Sequence, residues 1–307
     1  MRIVSLLPSA TEILFELGVG DQVVGVTHEC DYPPAATTVT VVTRDLLGSG
    51  LSASEIDSAV AASISETHTI YQLDDDRLRA LAPDVVVTQD LCEVCAVPTA
   101  AVEAAVCTMP KAARIVSADP HTLDELFLAM AEIGHVVRAA DVTAAIDRLA
   151  ARLATVRLAT KRRQRPRVAV LEWPDPPYVP GHWVPDMVVA AGGHNVLGTS
   201  GQKSVRVEWG DVVTVNPDVV VLAFCGFDLA TSIDHFEHLQ DLDAWREFSD
   251  DARVLITDGS AYFSRPGPRL IDGVELLAHG LHGLATYAPP AGRMMERIDD
   301  RWVDLGA

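Results

Sequence analysis

The sequence predicts an α/β protein of two parallel-sheet-rich lobes joined by a long helix, with a ligand cleft between the lobes. Three observations carry this prediction. The first is the opening "RIVSLLPSATEILFELGVGDQVVGV", where an apolar run, a helical stretch and a second apolar run follow one another. The second is an internal echo: "LAPDVVVTQDLC" and "VNPDVVVLAFC" share Pro-Asp-Val-Val-Val followed closely by a cysteine. The third is the segment His121 to Lys161, which has helical periodicity, no strand signal and no internal proline.

The elements follow in order. Ile3 to Leu7 reads as a strand. Ser9 or Thr11 is placed to cap a helix carrying Ile13, Leu14 and Leu17 on one face, with Gly18 and Gly20 at its end. Val23 to Val26 is the next strand, and the resulting βαβ unit implies a parallel sheet. Ser52 to Ser65 reads as a helix with Ser54 as its cap, and Leu73 to Leu81 as a short helix stopped by Pro83. Val85 to Val87 is a buried strand, Thr99 to Val106 a helix, and Arg114 to Ser117 a strand. His121 to Lys161 is one long helix or a broken pair. Unbroken, it would run ~60 Å at ~1.5 Å per residue, longer than one small domain, so it reads as a strut. Beyond it Arg167 to Leu171, Val219 to Phe224 and Arg253 to Thr257 are strands. Met187 to Ala191 lies in a helix ended by Gly192 and Gly193, and "RPGPRLIDGVELLAHGLHGL" is a final helix. The expected division is residues 1–118, a linking helix over 119–165, and residues 166–307.

Composition narrows the function. The chain has 307 residues, 49% hydrophobic and 22% charged, with a formal net charge of −19. Nucleic-acid binding needs clustered cations against phosphates, and this balance argues against it. The single basic run, "KRRQRP" from Lys161, reads as a solvated helix end. No apolar run approaches the roughly 18 residues of a membrane span, so no membrane insertion is expected. Pro8 and Ser9 interrupt the first apolar run before a signal-peptide core could form, and the expected location is cytoplasmic.

Ligands of open α/β sheets bind beyond the carboxyl ends of the strands. Here those segments are "LPSATE", "THECDYPP", "TQDLCEVC", "EWPDPPYVPGHW", "FCGFD" and "DGSAYFSRPGPR". They concentrate rings although the chain is only 6% aromatic, which suits a large flat ligand. The candidate ligand-binding residues are Tyr32, Trp173, Tyr178, His182, Trp183, Phe227, Tyr262 and Arg265.

On "RIVSLLPSATEILFELG", "VVGVTHECDYPP", "LAPDVVVTQD", "HWVPDMVVAAGGHNVLG" and "VNPDVVVL" the chain resembles the substrate-binding proteins of ABC importers for cobalamin and ferric siderophores. "HECDYPP", "QDLCEVCAV" and "SRPGPRLIDGVELLAHGLH" bring it nearest the cobalamin-binding branch. The resemblance implies two lobes joined by a rigid helix, and cobalamin or a related small-molecule metal chelate as ligand. It implies that Tyr32, Trp173, Tyr178 and Trp183 face the corrin ring, and ABC importer components as partners. With no export signal read at its start, a cytoplasmic carrier or sensor stands beside a transport-linked binding protein.

The thiols hold the alternative. His28 and Cys30 follow one strand, and Cys92 and Cys95 follow another. If the strand order is second, first, Val85, as the family implies, the two loops leave strands ~9–10 Å apart. A Cys₃His set suits zinc or an iron–sulfur cluster. A disulfide or redox pair, and thiols that merely line or pack the cleft, are the other readings. Cys225 could join from the second lobe, while Cys107 looks structural. A metal- or cluster-containing enzyme or redox protein is therefore the alternative function. No phosphate loop, His-Glu-x-x-His or nucleophile elbow is present in the sequence. Glu172 and Asp175 read as loop-bonding residues, His194 as a cap, and His279 and His282 as surface residues.

Overall fold

Valine-rich runs build the two main sheets. The computed structural model describes residues 1–47, 50–67, 69–89, 97–240, 243, 245 and 252–306. Contacts divide the chain into an N-terminal unit, Met1–Pro120 with Asp124–Arg148, and a C-terminal unit, His121–Leu123 with Leu149–Ala307.

In the N-terminal unit the main sheet runs Thr40–Val41, Val23–Val26, Ile3–Ser5, Val85–Thr88, Arg114–Ser117, with every pairing parallel. The second strand and the Val85 strand do flank the first, as expected. Ile3, Val4, Val86 and Val87 are fully buried. A strand sealed on both faces has no need of alternating polar residues, which is why the runs read as unbroken apolar stretches. The helix Pro8–Glu16 starts differently from expectation. Pro8 stands in its first turn and extended Leu7 is the cap residue, with no side-chain cap. Ser9 and Thr11 lie inside the helix instead, because proline's fixed φ makes the start there. The next helix, Ala53–Thr67, is capped by Ser52 and not by Ser54: Ser52 Oγ donates to Glu55 Oε2 at 2.8 Å and accepts from the Glu55 amide at 3.4 Å. Leu73, expected to open a helix, instead ends the strand Tyr71–Leu73, which pairs antiparallel with Thr43–Asp45, and the helix is Asp75–Leu81.

The helical stretch is a broken pair. Glu125–Val137 ends at Arg138, which is left-handed at φ 55°, and Val142–Thr160 follows. The first helix buries Leu126, Met130 and Ile133. In the second, residues 142–148 fall in the N-terminal unit and 149–160 in the C-terminal unit.

The C-terminal sheet runs His194–Asn195, Arg167–Leu171, Val219–Leu222, Arg253–Thr257, Met294–Ile298, Arg301–Asp304. The first four strands are parallel, and the last two form an antiparallel hairpin on the edge. Val219–Leu222 are each 2% exposed or less, and full burial of such a side chain stabilises by about 1.5–3 kcal/mol. Helix Arg269–His282 covers this sheet with Leu270, Val274, Leu277 and Leu281. His279 and His282 are half-buried, not surface residues. The ring nitrogens of His279 lie 3.1 and 3.0 Å from the carbonyls of Leu284 and Leu305, tying the end of the chain to the helix.

The repeated Pro-Asp has a physical role that is the same in both units. Asp84 donates its amide to the Arg2 carbonyl, accepts the Arg2 amide on its carboxylate at 2.9 Å, and offers its carbonyl to the Arg114 amide. Asp218 does the same with Arg167, at 2.7 Å, and Arg253. Each aspartate thus fixes the start of three neighbouring strands. Asp218→Ala is expected to lower the unfolding free energy of the C-terminal unit by about 1 kcal/mol, and Asp218→Asn, which keeps an acceptor, by less. Denaturant titration of the two variants checks the order.

Candidate functional site

At the carboxyl ends of the N-terminal strands the chain buries a polar cluster. Thr11 donates to Ser5 Oγ at 2.8 Å, and the Cys30 thiol sits 3.1 Å from both the Thr11 and Thr27 hydroxyls. Cys30 is 5% exposed. The Thr27–Cys30 backbone is a turn, closed by the Cys30 amide on the Thr27 carbonyl, and not the extended segment that would place both side chains on one side. Cys30 therefore points inward while His28 is exposed, its Nδ1 2.8 Å from Thr43 Oγ1 and its ring 5.4 Å from Tyr71. Tyr32 is exposed. Cys92 and Cys95 lie outside the described residues. Among the described residues no group of three or more His, Cys, Asp or Glu side chains is arranged to hold a metal ion. Cys107 and Cys225 are both exposed.

The C-terminal unit gathers more of the candidates. Glu172 and Trp173 leave the end of Arg167–Leu171. The Glu172 amide donates to the Tyr178 carbonyl, and the Cys225 amide to the Glu172 carbonyl, which joins two post-strand loops. Trp173 packs on Phe227 with ring centroids 5.1 Å apart, and Phe227 stacks on His235 at 4.4 Å and 13°. The result is a ladder of three rings at one end of the sheet. The Trp173 indole nitrogen is buried without a hydrogen-bond partner. Tyr178 is held beside Trp173 by a bridge between their backbones.

The other candidates divide. Trp183 is 5% exposed and donates its indole N–H to the Phe263 carbonyl at 2.6 Å, so its polar edge is already engaged inside the unit. Tyr262 is buried in the short helix Gly259–Tyr262, which Asp258 caps through the Ala261 amide at 2.7 Å. Arg265 is partly buried. His182 stacks on Trp183 at 5.4 Å and lies 5.9 Å from His121.

Burial governs the charges. It raises the Glu172 carboxyl to about 7, against the opposing hydrogen bond from Ser204. It also raises Asp258 and lowers His182. Asp228, held by the Thr231 amide, stays below the ordinary carboxylate range.

His235 was missed from sequence. The signal lay in "DLATSIDHF": Asp228 caps the helix Leu229–Leu239, and that start fixes which turn His235 occupies.

The family described as periplasmic binding protein matches residues 3–249. No curated protein matches. Among solved structures, the periplasmic vitamin B12 binding protein BtuF of Vibrio cholerae superposes with a TM-score of 0.63 at 21% identity, covering 93% of this chain and 95% of that one. A periplasmic heme binding protein from Pseudomonas aeruginosa gives 0.67 at 19% identity, with 92% and 93% covered. An ABC transporter substrate-binding protein from Listeria monocytogenes gives 0.68 at 17% identity, with 92% and 98% covered. At these identities the likeness is one of fold.

The raised Glu172 carboxyl sets a pH dependence. A group with a raised folded-state pKa contributes stability below its ordinary value of 4.5 and loses it as pH rises through about 7. Glu172→Gln removes the buried charge. The variant is expected to exceed the parent in stability by about 2 kcal/mol at alkaline pH, with the gap closing in acid. Chemical denaturation across the range checks this.

Proposed function

Because the chain belongs to the periplasmic binding protein family, we propose that it captures a corrinoid or closely related flat metal chelate, with ABC importer components as its partner. The observation that carries this reading is the Trp173–Phe227–His235 ring ladder at the carboxyl end of the C-terminal sheet. The three rings gather apolar aromatic surface at one end of the sheet, the kind of wall a large flat ligand needs. The resemblance to the cobalamin-binding branch supports the corrinoid choice, as does the vitamin B12 binding protein among the fold relatives. A heme binding protein stands among them too, which makes heme the competitor to exclude.

The described residues give no support to a metal- or cluster-containing enzyme. No helix among them is long and apolar enough to cross a membrane. The periplasmic relatives lean against the cytoplasmic location expected from the sequence, and cell fractionation decides between them.

The proposal predicts that aquacobalamin quenches the tryptophan fluorescence and releases measurable heat. Trp173→Ala is expected to weaken binding about tenfold, the loss of ~1–2 kcal/mol for one stacking ring. Trp183→Phe should lower stability through its lost bond to Phe263 more than it lowers affinity. Absence of heat and quenching with any corrinoid at high micromolar concentration overturns the ligand class. Tight binding of hemin under the same conditions replaces it.

A further inference from the structure

In the C-terminal unit the loop after Arg167–Leu171 is strapped down by the segment 198–207. Tyr178–Val179 pairs antiparallel with Val205–Arg206. The His182 amide donates to the Gln202 carbonyl at 2.6 Å, the Gly201 amide returns a bond to the His182 carbonyl at 3.0 Å, and the Gly181 amide donates to Ser204 Oγ at 3.3 Å. The fit is backbone on backbone: a Cβ on Gly181 would stand 2.0 Å from the Gln202 carbonyl oxygen, and one on Gly198 2.0 Å from that of Pro180.

His182 is the odd residue in this strap. Its φ is 47°, in the left-handed region that few residues besides glycine enter, histidine, asparagine and aspartate more often than the rest. Its Nε2 is buried with no hydrogen-bond partner. His121 lies 5.9 Å away, and Lys203, on the strapping segment, adds positive charge.

We propose that acidification opens this strap at His182 and frees the loop that carries Trp173 and Tyr178. The closed strap accepts a neutral imidazole. A second ring proton would place a half-buried cation beside His121 and Lys203 with no acceptor at Nε2, and burying an incompletely paired charge is unfavourable. The strap yields first because both backbone groups of His182 are its docking points. Burial, then His121, then Lys203 depress the proton affinity of the ring. Stability from the neutral ring is therefore complete above the ordinary value of 6.5 and is lost as pH falls below it. Glu172, bonded to Ser204 of the same strap, works in the opposite sense: its neutralisation below about 7 favours closure.

The consequence for ligand release rests on the binding function proposed above, whereas strap opening does not. Amide hydrogen exchange of the ligand-free protein, corrected for intrinsic rates, tests the opening. Peptides from 177–183 and 198–207 should exchange about tenfold faster, relative to the sheet strands, at about pH 5.5 than at about pH 7.5. His182→Asn, which tolerates the backbone conformation, should abolish that response. His121→Gln should reduce it, and Glu172→Gln should enlarge it. Unchanged protection in the parent, or an undiminished response in His182→Asn, overturns the proposal. The parent measurement stands even if a variant does not fold. Aquacobalamin affinity at the same two pH values separates the two ideas. Weaker binding in acid by the parent, with no change in His182→Asn, supports linked release. Acid opening of a strap in a protein that binds no corrinoid at either pH keeps the strap and removes the corrinoid.

Discussion

Asp84 and Asp218 hold the interaction on which the rest of this structure depends. A strand in the middle of a parallel sheet has no turn to set its register, because each neighbour arrives by a long crossover. The two aspartates supply the missing constraint. Each sits one residue before a triple valine and bonds, through side chain and backbone, to the arginines that open the strands on either side. With the amino ends pinned, Ile3 pairs with Val85 and Val168 with Val219. The carboxyl ends then finish together, and the loops that carry rings, thiols and carboxyls emerge at one edge of each sheet.

What those loops do follows from how each is closed. In the N-terminal unit they close on hydroxyls: Thr11, itself bonded to Ser5, and Thr27 flank the Cys30 thiol and leave His28 outside. In the C-terminal unit they close on rings and on backbone. Glu172 is clamped by Tyr178 and Cys225, and Trp173 packs at a tilt on Phe227, which stacks on His235. The carboxyl of Glu172 and the imidazole of His182 are buried at opposite ends of one loop, and burial drives both toward their neutral forms. A ring surface flanked by these two groups and by the Asp228 carboxylate suits a large flat ligand with polar edges.

The central strands were legible in the sequence because strands buried on both faces concentrate apolar residues; Arg167–Leu171 and Arg253–Thr257 fall where the residues placed them, and so does the edge strand Arg114–Ser117, in which only Val116 is buried. The edge elements were not. Thr43–Asp45, Tyr71–Leu73 and the hairpin Met294–Ile298 with Arg301–Asp304 are short or half-exposed, and nothing in their composition separates them from loop. The helix start at Pro8 was hidden by Ser9 and Thr11, which carry the usual cap chemistry but lie buried inside the helix, Thr11 bonding Ser5 and the Leu7 carbonyl. The ring cluster was foreseen in kind but not in membership. Trp183 is engaged inside the unit, and His235 enters through helix register, which spacing from the nearest strand does not reveal.

The central claim is that ligand meets the protein at the carboxyl ends of the C-terminal strands, on the ring ladder. Hydroxyl-radical footprinting with and without aquacobalamin measures this directly, because aromatic side chains are strongly labelled. The account predicts protection of Trp173, Tyr178, Phe227 and His235, with labelling unchanged at Met1 and His135. Unaltered labelling of Trp173 and Phe227 in a protein saturated with ligand, or protection confined to the residues around Asp84 or Asp218, would contradict it.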